Sequence, residues 1–426
     1  MRPAACVWAV VCLASLAPAQ DPAEILQKAR EKLVRFTRNL TKYTCIETVD
    51  REYFAQPPRK GHLLTDDAAP SCPAIPPEST GSTPTVTDRL RLEVAVSESR
   101  EIHAWPGARE FDIRPIDELV DGPISTGGFG TYLIEIFDNP GTHITYIGKT
   151  APNGRTLFEY AYRTPLSDSH YRISKLRRLT AHGGSFQIDL ASLDLVQLKI
   201  ATDPTPPETG MCVSHTQVEY HRVPIGDGEL VLPIQSAMEI LEPGSSVSRA
   251  VTTFSACHEY LAESSIRFDD DGDSSAGKPQ AADAPAALLA RIHFTLANVS
   301  PIDLSTAAAG DRISARVTYT SNKKLLPGGA IVTARLTAVR HFVNVNRFQI
   351  TISPRSVAVG NTSVRLAAAI DRNVTIPAQG FGRFQTRGQV LDVPPPTGVY
   401  EGSFAIAGST KIVKAGFQSS WVTVAP

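Results

Sequence analysis

Residues 144–164 read ITYIGKTAPNGRTLFEYAYRT. The arms from Ile144 to Lys149 and from Arg155 to Thr164 are rich in β-branched and aromatic residues. Asn153-Gly154 between them is the strongest hairpin signal in the chain. In the second arm Phe158, Tyr160 and Tyr162 recur at every other position, so they share one face of a strand. The alternation returns with Phe186, Ile188 and Leu190, and again with Val196, Leu198 and Ile200. Further strands are expected at 211–223, 229–241 and 246–259, divided by Asp227-Gly228 and Pro243-Gly244. Upstream, 43–54 and 87–105 have strand composition. Strands separated by turns, with no helix between them, predict an antiparallel meander.

Ahead of these strands stands one clear helix, at 21–41. Asp21 suits the cap, Pro22 the first helical position, and Glu24 lies three residues after the cap. Ile25, Ala29, Leu33, Phe36 and Leu40 recur at helical spacing opposite Lys28, Arg30, Glu31, Lys32 and Arg35, which predicts one stripe packed on a sheet. The stretch Pro115–Asn139 carries Gly122, Gly127, Gly128 and Gly130. It then turns apolar at Tyr132, Leu133, Ile134, Ile136 and Phe137, a second short helix.

With 426 residues the chain exceeds one ordinary core at about 150 residues per domain. Asp269-Asp270-Asp271-Gly272-Asp273 opens a polar run that marks a boundary. As a calcium loop it fails, because Ser274 and Gln280 stand where a Gly and a bidentate Glu are needed. The expected fold is mainly β. An N-terminal helix packs on a curled antiparallel sheet over 20–268, a linker follows at 269–286, and a separate small C-terminal β barrel or sandwich spans 287–426.

Residues 1–19 read as a signal peptide: Arg2, an apolar run from Ala4 to Leu16, then Ala17-Pro18-Ala19. Export to the periplasm or the outside leaves Cys45, Cys72, Cys212 and Cys257, an even number in an oxidising compartment. In a simple meander Cys212 opens one strand and Cys257 closes the strand two places on, too far apart for a bridge. The pairing favoured is Cys45–Cys257 with Cys72–Cys212; the alternative is Cys45–Cys72 with Cys212–Cys257.

Forty-two basic against 43 acidic residues exclude a strongly basic nucleic-acid binder. GxSxG and HExxH are absent, and Gly148-Lys149-Thr150 lacks the rest of a phosphate loop. His215, His221 and His258 are weak metal candidates, more readily read as half-exposed strand residues. Asp189, Asp194, Glu219 and Glu239 read as solvated acids. No pattern calls for a cofactor, a resident metal or a catalytic residue.

The order of an N-terminal helix, Tyr43-Thr44-Cys45, Arg100 to Gly107 (REIHAWPG), Gly122 to Gly130 and Phe254 to Tyr260 (FSACHEY) resembles a group of uncharacterised bacterial exported proteins. More distantly, a helix leading into a long antiparallel meander is similar to periplasmic lipoprotein-carrier (outer-membrane lipoprotein-sorting) proteins. That resemblance implies a curled sheet around an apolar cavity. Ala309 to Ile313 with Leu325 to Ala330 resembles small barrels of bacterial secretion-channel components.

The functional expectation is an exported, non-enzymatic protein of the bacterial cell envelope. It would bind a lipid-like or apolar ligand on the face of Phe158, Tyr160, Tyr162, Phe186, Ile188, Leu190, Val196, Leu198 and Ile200. A cell-envelope protein partner would dock on the C-terminal domain. Two alternatives stay open: an envelope structural or adhesion scaffold, and an extracytoplasmic hydrolase with no recognisable motif.

Overall fold

The computed structural model describes residues 21–54, 71–72, 83–108, 110–173, 178–259, 291–360, 362–371 and 400–424. The signal-peptide stretch 1–19, the linker 269–286 and most of the loop 55–85 lie outside the described residues. Among the described residues no helix is long and apolar enough to cross a membrane.

Helix α1 runs Pro22–Asn39, capped by Asp21, whose carboxylate accepts from the Ala23 N–H at 3.0 Å. Glu24 does not complete a capping box; it pairs with Lys28 one turn on, at 2.6 Å. Ile25, Ala29 and Leu33 are buried, and Leu40 closes the stripe in the 3-10 turn Leu40–Lys42. Two shorter helical pieces follow, α2 (Ile116–Leu119) and α3 (Thr131–Leu133). The expected second helix is thus a single α turn that runs directly into a π turn at Ile134–Asp138.

Ten strands form the first sheet region: β1 (Tyr43–Phe54), β2 (Val86–Ser97), β3 (Arg100–Ala104), β4 (His143–Thr150), β5 (Leu157–Thr164), β6 (His182–Asp189), β7 (Leu195–Thr202), β8 (Val213–Ile225), β9 (Gly228–Leu241) and β10 (Val247–Glu259). All pair antiparallel, in the order β4-β5-β6-β7-β8-β9-β10-β1-β2-β3. The meander from β4 onward is the one the sequence predicts. The first three strands join its far end. β4 and β3 do not pair with each other, so the sheet stays open.

The disulfides are Cys45–Cys257 and Cys72–Cys212. The first bridges neighbouring strands at a bulge, where Thr44 faces His258 but Ile46 faces Ser255. Ala256 takes φ 48° there. The extra residue reverses the alternation of β10 and turns Cys257 toward Cys45.

Apart from two two-residue pairings, 172–173 with 178–179 and 302–303 with 412–413, the remaining strands are β11 (His293–Asn298), β12 (Arg312–Thr320), β13 (Ile331–Phe342), β14 (Arg347–Val359), β15 (Thr362–Arg365), β16 (Ala368–Ile370), β17 (Gly402–Ala407) and β18 (Gln418–Thr423). They run β16-β18-β11-β12-β13-β14, with β17 and β15 sharing the far edge of β14. They enclose a core of their own around the fully buried Trp421.

The C-terminal strands do not stand apart as expected. Arg340, His341 and Phe342 of β13 pair with Asp88, Thr87 and Val86 of β2. Arg91 N–H donates to the Ala309 carbonyl at 2.7 Å, and Ala309 N–H to the Arg89 carbonyl at 2.8 Å. Asp311 forms an ion pair with Arg91 across the seam. The outer edge of β2 is therefore taken in turn by β13, by Ala309 and by β3. That edge presents backbone donors and acceptors that a single short strand cannot satisfy.

Candidate functional site

One face of the ten-stranded sheet is covered by α1 and by the segment 125–138. Register fixes which residues share it. One row reads Tyr160, Phe186, Leu198, Val218, Ser236, Thr252, Val49 and Leu90, from β5 to β2. The next reads Tyr162, Gly184, Ile200, Thr216, Met238, Ala250, Arg51 and Asp88. Beyond them, Glu47 sits on β1, and Glu101 and His103 on β3. The face therefore grades along the sheet, from aromatic and aliphatic groups, through hydroxyls, to charges.

Most of the expected apolar face lies at the first end. Phe158, Tyr160, Tyr162, Phe186, Ile188, Leu198 and Ile200 are buried in one cluster with Ile25, Ala29 and Leu33 of α1 and with Tyr132, Leu133, Ile136 and Phe137. Leu190 and Val196 are only half-buried. The register slips between Gln187 and Ile188, so Leu195 pairs with Ile188 and takes the place expected of Val196. The space above the face is thus occupied by the chain's own helix and by segment 125–138.

This cover is held by a few polar contacts. Tyr160 Oη donates to the Pro22 carbonyl at 2.8 Å, and Arg30 Nε to the Phe137 carbonyl at 2.5 Å. Lys32 reaches Asp194 at 2.5 Å, and Arg222 reaches the same carboxylate at 2.7 Å. Asp189 accepts from the Ala191 and Ser192 N–H groups at 2.9 and 2.8 Å. Both acids are 4% exposed. They are buried turn and ion-pair residues rather than solvated ones, and their partners hold each carboxyl below its usual range despite the cost of burial.

At the charged end Glu101 grips the glycine-rich loop. Its carboxylate accepts from the N–H groups of Gly127, Phe129 and Gly130 at 2.6, 2.8 and 3.0 Å. Gly127 has φ +119°, and a Cβ there would come within 2.5 Å of the Tyr132 ring, so glycine is required. Burial raises the Glu101 pKa, against His103 and the loop N–H groups. His103 Nε2 lies 3.4 Å from Glu47 Oε2. Burial pulls His103 down, but Glu47 and Glu101 outweigh it and hold the imidazole above its ordinary range. Sequence reading missed this trio; its only signal was two acids and a histidine at inward positions of β1 and β3.

Four buried polar atoms on this face have no partner among the described residues, Tyr162 Oη, His182 Nδ1, Thr216 Oγ1 and Thr252 Oγ1, whereas Glu47 Oε2 and His103 Nε2 face each other as an ion pair. A finished core leaves few.

His182 gives a pH prediction. Burial first, then Arg163, pulls its pKa down to about 4. Unfolded, the imidazole titrates near 6.5, so across that window the native state binds fewer protons. Its contribution is complete above pH 6.5 and is lost as pH falls toward 4, by roughly 3 kcal/mol. Urea unfolding at pH 7 and pH 4.5 is expected to show this fall, and His182→Phe to shrink it.

His215, His221 and His258 are exposed and converge on no site; among the described residues no group of three or more His, Cys, Asp or Glu could hold a metal ion.

No protein-family model matches the sequence, and no curated protein matches it. The chain is similar in structure to a LolA superfamily protein from Nitrosomonas europaea, with 11% identity over 57% of this chain and 94% of that one, TM-score 0.29. A DUF1329 family protein from Desulfovibrio piger matches at 10% identity over 57% and 95%, TM-score 0.29. An outer membrane lipoprotein-sorting protein domain from Vibrio parahaemolyticus matches at 9% identity over 56% and 94%, TM-score 0.28.

Proposed function

We propose that the protein is a non-enzymatic carrier of an amphipathic, lipid-like ligand in an oxidising compartment outside the cytoplasm. The ligand lies on the inner face of the sheet once α1 and segment 125–138 shift aside. The observation that carries this reading is the set of four unpaired polar atoms, on Tyr162, His182, Thr216 and Thr252, among the apolar and aromatic rows of the inner face. Each buried polar group left unmet costs about 1–3 kcal/mol, a cost that a bound polar partner would remove. A ligand with scattered oxygens and hydrocarbon chains would satisfy them, and each buried CH₂ would add about 0.8 kcal/mol. The cover suits displacement: it pairs with no strand of the sheet, whereas the Cys45–Cys257 disulfide ties β1 to β10. The two disulfides fit an oxidising compartment.

Residues 20–426, purified and analysed by native mass spectrometry and solvent extraction, are expected to yield bound lipid or to take up a fluorescent fatty acid. Leu198→Arg places a charge in the middle of the face and is expected to abolish uptake while Trp421 fluorescence reports an intact C-terminal core. Tyr162→Phe removes an unpaired hydroxyl and is expected to stabilise the ligand-free protein by about 1 kcal/mol. A ligand-free protein without uptake overturns the proposal.

A further inference from the structure

The charged end of the inner face opens into a pocket of about 430 Å³ that neither half of the chain forms alone. Arg51, Asp88 and Leu90 contribute from β1 and β2, the α2 turn adds a second wall, and β13 and β14 supply a third. β14 is buried on both sides. Ile350 and Ile352 join the core around Trp421, whereas Gln349 and Thr351, each 3% exposed, line the pocket.

Gln349 is the telling residue. Its Nε2 reaches Ser403 Oγ at 3.5 Å, and its Oε1 has no partner. Turning the amide over does not cure this, because whichever end faces away from Ser403 stays unmet. Ser403 is itself engaged with Thr351 Oγ1 at 2.8 Å. A buried amide end kept unmet at a pocket wall is a place prepared for a ligand.

The charges define what kind. Arg51 and Asp88 satisfy each other, Arg89 is held by Asp50, and Arg114 by Asp112. Two cations of the C-terminal strands, Arg340 and Arg355, also line the pocket, as do Asp117 and Glu118 of α2, Asp121 just beyond it, and Glu401, whose charge acts on Arg355. Arg340 stands 3.9 Å from Asp88, at the limit of an ion pair. Guanidinium forks match the oxygens of a phosphate or carboxylate, and carboxylates match an ammonium.

We propose that the seam pocket binds a zwitterion, with its anionic oxygens on Arg340 and Arg355 and its ammonium on Asp117, Glu118 and Gln349 Oε1. This site is distinct from the apolar end of the inner face and does not depend on lipid carriage. The full chain from residue 20 is titrated calorimetrically with glycerophosphoethanolamine, with diglycine, and with glycerophosphate and ethanolamine as single-charge controls. Trp105, which lines the pocket, gives a parallel fluorescence readout. At least one zwitterion is expected to bind about tenfold or more tightly than either control, a step of about 1.4 kcal/mol. The stronger of the two identifies the anion as phosphate or carboxylate. Glu118→Gln and Gln349→Leu are each expected to weaken binding about tenfold, with fatty-acid uptake unchanged and the thermal midpoint not lowered. Equal binding of glycerophosphate, no heat with any probe, or variants without effect overturn the proposal. Because uptake is measured separately, its loss with Leu198→Arg leaves this result standing.

Discussion

Replacing Cys45 and Cys257 together by serine is expected to lower the stability of residues 20–426 by about 5 kcal/mol, read as a fall in the urea midpoint. The bond closes a loop of 212 residues, so its loss frees a very large unfolded ensemble. The loss is not entropic alone. Cys45 is fully buried, beside Leu40, Val94, Phe129 and Leu232, and a serine hydroxyl in that cluster finds little to bond. Cys72→Ser with Cys212→Ser is expected to cost slightly less, because its loop of 140 residues is shorter, while each bridge joins one buried and one half-buried cysteine. Equal effects of the two double mutants would contradict this ranking.

Asp88→Ala is expected to cost about 3–5 kcal/mol, because it leaves Arg51 buried without its partner. Arg51 Nε and Nη2 donate to the two Asp88 oxygens at 2.6 and 2.8 Å, and Nη1 donates to the Asp121 carbonyl at 2.5 Å. The two residues are 5% and 8% exposed. Burial opposes the charge on Arg51, yet Asp88 outweighs it and keeps the guanidinium above its usual range. Removing both charges is a different experiment. Arg51→Met with Asp88→Leu leaves no orphan, and its expected cost in urea unfolding is within about 1 kcal/mol of zero. Additive losses in the double mutant would show that the pair contributes through packing alone.

The residues that made the fold legible share one property: their alternation is unbroken. Phe158, Tyr160 and Tyr162 announce β5 because no bulge interrupts it, and the Asn153-Gly154 turn supplies the positive φ angles the hairpin needs. Alternation fails where a residue is inserted. Val196 loses its place to Leu195, and Cys257 turns inward only because Ala256 bulges, and neither bulge has a local sequence signature. The charged end was illegible for a second reason. Along β1 the inward positions are Cys45, Glu47, Val49 and Arg51, while Ile46 points to the other face. Polar groups facing in and an apolar group facing out cancel the pattern that burial would leave. Pairing of β2 with residues 309 and 340–342 is not encoded near β2 at all, so the seam and its pocket could be found only in three dimensions.

The place of β1 between β10 and β2 has a consequence for how the chain is made. Synthesis at ~5–20 residues per second puts roughly 10–40 s between the appearance of Tyr43 and of its partner Val247–Glu259. Pairings so distant along the chain fold slowly even once complete, on the scale of milliseconds to seconds. Throughout that interval β1 has one backbone edge open, and β2 keeps part of its own edge open until Arg340–Phe342 emerge. The nascent chain therefore stays pliable until its last third is present, and a chain cut short before Val247 carries an open strand edge with nothing of its own to close it, a template for self-association.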